Sequence, residues 1–146
     1  MNLINEIPYI KHTSSGNFFL IAGPCVVEDS ASPFQIADIL VELCDKYEIP
    51  FIFKASYRKA NRSKSSSFTG IGDEKALEIL AEIRQKYNIP VVSDIHSESD
   101  AIMAARYVDV LQIPAFLCRQ SELLVAAGET GKFVNIKKGQ FSSAET

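Results

Sequence analysis

Five apolar runs of strand length recur along this chain, and each of the four intervals between them carries a helical repeat. The runs are Phe18-Phe19-Leu20-Ile21-Ala22, Phe51-Ile52-Phe53, Val91-Val92, Val110-Leu111-Gln112-Ile113 and Phe133-Val134-Asn135-Ile136. Unbroken apolar runs suit strands covered on both faces, and strands that alternate with helices suit a parallel sheet. Phe34 to Tyr47 places Ile36, Ile39, Leu40, Leu43 and Tyr47 at a 3.6-residue period, and Asp73 to Tyr87 does the same with Ala76, Leu77, Leu80, Ile83 and Tyr87. Asp73 is expected to cap its helix, and Glu82 to pair with Lys86 one turn later. Shorter helices are expected at about Ser99 to Arg106 and Gln120 to Ala127. Lys46-Tyr47-Glu48-Ile49-Pro50 and Lys86-Tyr87-Asn88-Ile89-Pro90 form a weak internal repeat, each closing a helix ahead of a strand. Ahead of the first strand, residues 1–17 read as a small hairpin around Ser14-Ser15-Gly16-Asn17.

The ends of the runs carry the chemistry. The first run ends near Cys25, the second at Lys54, the third at Asp94 and His96, the fourth at Gln112 and Pro114, and the fifth at Lys137 and Lys138. Parallel α/β folds bind ligands beyond the carboxyl ends of their strands, whether the sheet is open or closed into a barrel. Five polar ends in succession therefore converge on one site.

Charge adds a second signal. Lys54 to Lys64 holds five cations and no acid, which leaves the rest of the chain at ten cations against eighteen acids, a net −8. A cationic loop on an otherwise acidic protein fits a small anion, because arginine forks onto phosphate or carboxylate and lysine supplies a point charge. The plain alternative is a solvated loop. Nucleic acid does not suit the net charge of −3. Cys25, behind Gly23-Pro24, fits a nucleophile, a soft metal ligand or a structural thiol. Asp94 and His96 straddle a strand-to-helix junction, where they could hold a hydroxyl, relay a proton or merely cap the helix. Cys44 and Cys118 read as packing residues, and His12 as an exposed turn residue.

At 47% apolar residues the chain is expected to be ordered. No run approaches the roughly 20 apolar residues of a membrane span, and Met1 to Ile10 has no signal-peptide character. Three scattered cysteines without CxxC spacing suit a reduced, cytoplasmic setting.

Six motifs then stand in order: Ile21-Ala22-Gly23-Pro24-Cys25, Phe53-Lys54-Ala55-Ser56, Lys59-Ala60-Asn61-Arg62-Ser63, Ser93-Asp94-Ile95-His96, Leu111-Gln112-Ile113-Pro114-Ala115-Phe116 and Asn135-Ile136-Lys137-Lys138. The set resembles the 3-deoxy-D-manno-octulosonate 8-phosphate synthases from about Phe18 to Phe141. The related 3-deoxy-D-arabino-heptulosonate 7-phosphate synthases share the Gly-Pro-Cys turn but usually carry a Lys-Pro-Arg-Thr-type segment where this chain reads Lys59-Ala60-Asn61-Arg62-Ser63. The resemblance implies condensation of phosphoenolpyruvate with arabinose 5-phosphate and water, with release of phosphate, on the way to a lipopolysaccharide sugar. It implies that Lys59 and Lys137 hold phosphoenolpyruvate, with Ser56, Gln112, Pro114 and Ala115 nearby. Lys54 would stand at the base of the site, with Asp94 and His96 beside the reacting groups. Asn61, Arg62 and Ser63 would receive arabinose 5-phosphate. It further implies a homo-oligomer, commonly a tetramer, and a divalent metal bound through Cys25, since the family divides into a metal-dependent class with cysteine here and a metal-free class with asparagine.

The implied fold is a (β/α)8 TIM barrel, which takes about 250 residues and eight strands. Residues 18–146 supply about five β/α units, so 1–146 is expected to be the amino-terminal part of a single barrel domain, with the remaining metal ligands beyond Thr146. Five strands also suit an open, flavodoxin-like sheet, and a non-catalytic anion-binding module of that kind is the alternative from another class.

Overall fold

The computed structural model describes residues 3–60, 68–143 and 145. Its five strands are β1 (Leu20–Ala22), β2 (Phe51–Lys54), β3 (Val91–Asp94), β4 (Val110–Ile113) and β5 (Phe133–Ile136), alternating with helices α1 (Ser32–Lys46), α2 (Asp73–Tyr87), α3 (Glu98–Ala104) and α4 (Ser121–Glu129). All the strand pairings are parallel and the sheet order follows the chain, β1-β2-β3-β4-β5. A strand order that never reverses distinguishes this sheet from the flavodoxin-like arrangement, in which the order switches partway. The sheet is a curled half-barrel of five β/α units.

Strand periodicity sorts the side chains onto two faces. Phe51, Phe53, Val91, Leu111 and Ile113 point outward and pack with Ala76, Leu77, Leu80 and Ile83 of α2, Ala101 of α3 and Leu123 of α4. Ile52, Val92 and Val110 point inward and form a second apolar cluster with Ile7, against which Ile10, Ile21 and Phe133 rest. The amino-terminal segment thus closes the amino end of the inner face. It does so without the expected hairpin: Leu3–Glu6 is a turn of 3-10 helix, and among the described residues 3–17 contain no strand. Pro8 has no N–H to donate, and Tyr9 and His12 take left-handed backbone angles, so an extended ladder cannot form there. His12 is not idle, since its Nε2 lies 2.8 Å from Asp45 Oδ1 on α1.

Two helices depart from the sequence pattern in instructive ways. On α1, Pro33, Ala37 and Cys44 are buried and Ile36 and Leu40 pack against the core beside them, while Ile39, Leu43 and, just past the helix, Tyr47 are exposed. The inward face is thus shifted toward the small Ala37 and Cys44, and only half of the expected stripe of large side chains is covered. On α2, Gly72 takes the cap position and Asp73 the first helical one, its carboxylate bound instead to Arg58. Lys86 turns to Asp38 of α1 at 3.8 Å rather than to Glu82.

Candidate functional site

The inner face changes character within one strand step. Above the apolar layer of Ile52, Val92, Val110 and Phe133 stand Lys54, Asp94, Gln112 and Asn135, each two residues further along its own strand. Asp94, Gln112 and Asn135 share one level of the ladder. Lys54 pairs in register with Val92, one layer lower, and its long side chain makes up the difference. Its Nζ lies 3.1 Å from Asp94 Oδ2 and donates to Ser56 Oγ at 2.8 Å and to the Cys25 carbonyl at 3.4 Å.

Asp94 is the hub. Ser56 Oγ donates to its Oδ2, and Gln112 Nε2 donates to its Oδ1 at 2.6 Å. Asn135 Nδ2 donates to Gln112 Oε1 at 2.8 Å, which fixes which way the Gln112 amide faces. Four strands are thereby joined by one side-chain chain. Burial alone would raise the Asp94 carboxyl, but the Lys54 ammonium and the hydrogen bonds from Gln112 and Ser56 outweigh it and hold it below the usual carboxylate range. With both oxygens engaged, Asp94 holds the Lys54 ammonium in place.

Gly23 permits the close approach of β1 to this cluster. Its φ is +153°, and a Cβ there would lie 2.0 Å from the Lys54 carbonyl oxygen. The backbone that follows pairs with β2's extension, Val27 N donating to Ser56 O at 3.0 Å. Cys25 is exposed at the mouth.

Cys25, Lys54, Ser56, Asp94 and Gln112 line one cleft of about 250 Å³, together with Lys59, His96, Pro114, Ala115 and Lys137. All the residues singled out from the strand ends meet there except Lys138, whose Nζ donates instead to the Gly139 and Ser142 carbonyls. Asn61, Arg62 and Ser63 lie outside the described residues. His96 is held by its backbone N–H, which donates to Asp100 Oδ2 at 3.1 Å, while its buried Nδ1 has no hydrogen-bond partner. Burial depresses the imidazole pKa, against the pull of Asp94 and Asp100, so the ring is neutral at neutral pH.

Arg58 and Asn135 change the picture drawn from sequence. Arg58 was counted among the cations of the loop, but both its terminal nitrogens are engaged, Nη1 with Asp73 at 2.8 Å and Nη2 with Asp100 at 2.9 Å. Among the described residues, the positive charge at the cleft not tied up in an ion pair therefore rests on Lys59 and Lys137. Asn135 was missed as a site residue. Its signal was present in the strand period: it is a polar residue two positions after the inward Phe133.

No group of three His, Cys, Asp or Glu side chains suited to a metal ion occurs among the described residues. Cys25 by itself falls short of the three protein ligands typical of a catalytic site, so the residues described do not form one. Among the described residues no helix is long and apolar enough to cross a membrane.

Comparison with known proteins gives consistent matches. The family model described as the DAHP synthetase I family matches residues 6–146. Proteins named 2-dehydro-3-deoxyphosphooctonate aldolase are similar to it. The one from Rickettsia typhi is 48% identical over 141 residues, covering 97% of this chain and 52% of the relative. That from Koribacter versatilis is 55% identical over 123 residues, 84% of this chain and 44% of the relative. That from Paracidovorax citrulli is 56% identical over 124 residues, 85% and 44% respectively. The chain spans about half the length of the curated relatives it matches.

Proposed function

The chain belongs to the DAHP synthetase I family, and from that footing we propose that its cleft is the phosphoenolpyruvate-holding part of a 3-deoxy-D-manno-octulosonate 8-phosphate synthase site. The reaction joins phosphoenolpyruvate to D-arabinose 5-phosphate with water and releases phosphate, within lipopolysaccharide sugar biosynthesis in the cytoplasm. The observation that carries this reading is the convergence of Lys54, Lys59 and Lys137 on one cleft floored by Asp94 and Gln112. The printed names of the relatives favour the octulosonate reaction over the heptulosonate one.

Two phosphorylated anions repel one another, so bringing them together needs fixed cations that cost no reorganisation when the reactants arrive. Lys59 and Lys137 hold the phosphoenolpyruvate, with Ser56, Gln112, Pro114 and Ala115 against it. Lys54, held in place by Asp94, stabilises negative charge at the base of the site. Neutral His96 lines the cleft, with its buried Nδ1 turned to Asp100 at 3.7 Å, and is the side chain able to accept or return a proton beside the reacting groups. Asn61, Arg62 and Ser63 are assigned to arabinose 5-phosphate, the last two to its phosphate. Cys25 is the thiol this chain would offer to a divalent ion. The proposed assembly is a homo-oligomer.

Phosphate release assayed on the protein at the relatives' full length tests the reading. Release that requires both phosphoenolpyruvate and arabinose 5-phosphate is expected. Release with erythrose 4-phosphate in place of arabinose 5-phosphate would move the assignment to the heptulosonate reaction, and tight binding of one anion without turnover would favour a binding module.

A further inference from the structure

Three contacts between residues 57–60 and 68–73 draw the two flanks of the cationic segment together. Lys59 N donates to Thr69 O at 2.8 Å. Gly70 passes so close to Tyr57 that a Cβ on it would lie 2.8 Å from the Tyr57 carbonyl oxygen, at a φ of +147° that already favours glycine. Arg58 then crosses from this neck to two helices, reaching Asp73 at the start of α2 and Asp100 in α3. Its guanidinium also lies over the buried Tyr57 ring, 5.4 Å from the centroid. Asp100 in turn accepts from the backbone N–H of His96.

Arg58 lines the cleft, yet its charge is committed to two carboxylates. We infer that Arg58 is a positioning residue: it clamps the neck of the cationic segment to α2 and α3, and so sets Lys59 and the His96 backbone in place at the cleft without itself gripping the anion. A planar fork suits this task, because one guanidinium can face two carboxylates at fixed angles where an ammonium cannot. The neighbouring Lys59, one residue on, carries the free charge. The inference rests on the reading of the cleft as a phosphoenolpyruvate site.

Its test uses the 146-residue chain with phosphoenolpyruvate as the probe. Hydrogen exchange at the Lys59 amide, phosphoenolpyruvate affinity and melting temperature are measured for Arg58→Met, Arg58→Lys and Asp73→Asn beside the unmodified protein. Arg58→Met and Asp73→Asn are expected to speed exchange at the Lys59 amide and weaken phosphoenolpyruvate about tenfold, as for a displaced binding group. The Phe53 and Ala55 strand amides should stay protected, and Arg58→Lys should fall between. Tighter binding in Asp73→Asn would mean that Arg58 is an anion ligand released from its carboxylate, and would overturn the inference. Unchanged Lys59 exchange in Arg58→Met would overturn it equally. If the unmodified chain fails to bind phosphoenolpyruvate while Arg58→Met still opens the Lys59 amide, the reading of the cleft falls and the clamp stands.

Discussion

Asp94 and Asp109 sit at opposite ends of the sheet, both buried and both ion-paired, yet their carboxyls are driven in opposite directions. Asp94, at the carboxyl end of β3, has Lys54 at 3.1 Å plus donors from Ser56 and Gln112, and its pKa is held down. Asp109, just before β4, meets the Val91 N–H at 3.1 Å and Arg84 at 3.4 Å and feels the charge of Lys132, and burial outweighs all three, raising its pKa. Solvation by neighbouring polar groups decides the outcome. The carboxyl end of the sheet is built to keep charge inside the protein, and the amino end merely tolerates it. A charged, pre-arranged cluster at one end only is what an anion-binding cleft requires and what packing alone would not produce.

The contrast can be broken by substitution, and the largest effect is expected at the carboxyl end. Asp94→Asn leaves the Lys54 ammonium without its counter-charge and should cost about 2–3 kcal/mol in urea unfolding. Asp109→Asn keeps an acceptor for Val91 and relieves a buried charge, so its cost should stay within about 1 kcal/mol. Equal losses would erase the distinction between the two ends. Asn135→Ala removes one donor to Gln112 and is expected to cost about 1 kcal/mol, and to loosen the Gln112 amide orientation in side-chain NMR.

Acid titration sharpens the same comparison. The folded-state pKa of Asp94 lies below its unfolded value, so its contribution is complete above the unfolded value of about 3.9. That contribution drains away as pH falls through the folded pKa. Asp109 has the opposite sign: its folded pKa is raised, so stability declines as pH rises from the unfolded value to the folded one. Asp94→Asn should therefore flatten the loss of stability below about pH 4, and Asp109→Asn should steepen the rise in stability just above it. Urea midpoints across that range read both slopes.

Much of this was legible in the residues. The alternation of strand and helix patterns placed all five strands, because parallel strands covered on both faces must be apolar throughout, and the polar strand ends located the cleft. The α1 face was only partly legible because large side chains dominate a periodicity argument: Ile36 and Leu40 pack as expected, but the small Ala37 and Cys44 are buried where Ile39 and Leu43 are exposed. The hairpin failed at Tyr9 and His12, whose left-handed angles answer to tertiary contacts such as His12 with Asp45. The destination of Arg58 was hidden for a related reason: its partners are 15 and 42 residues away, and a run of like charges does not show which members are already paired.

Phosphoenolpyruvate titration by calorimetry separates the two ends of the molecule most plainly. Lys59→Met and Lys137→Met should each lower affinity by about tenfold or more, as the loss of a charged contact does, while Arg84→Met at the Asp109 end should leave it unchanged. Equal losses from Lys59, Lys137 and Arg84 substitutions, or none from any, would contradict the assignment of anion binding to the carboxyl end of the sheet.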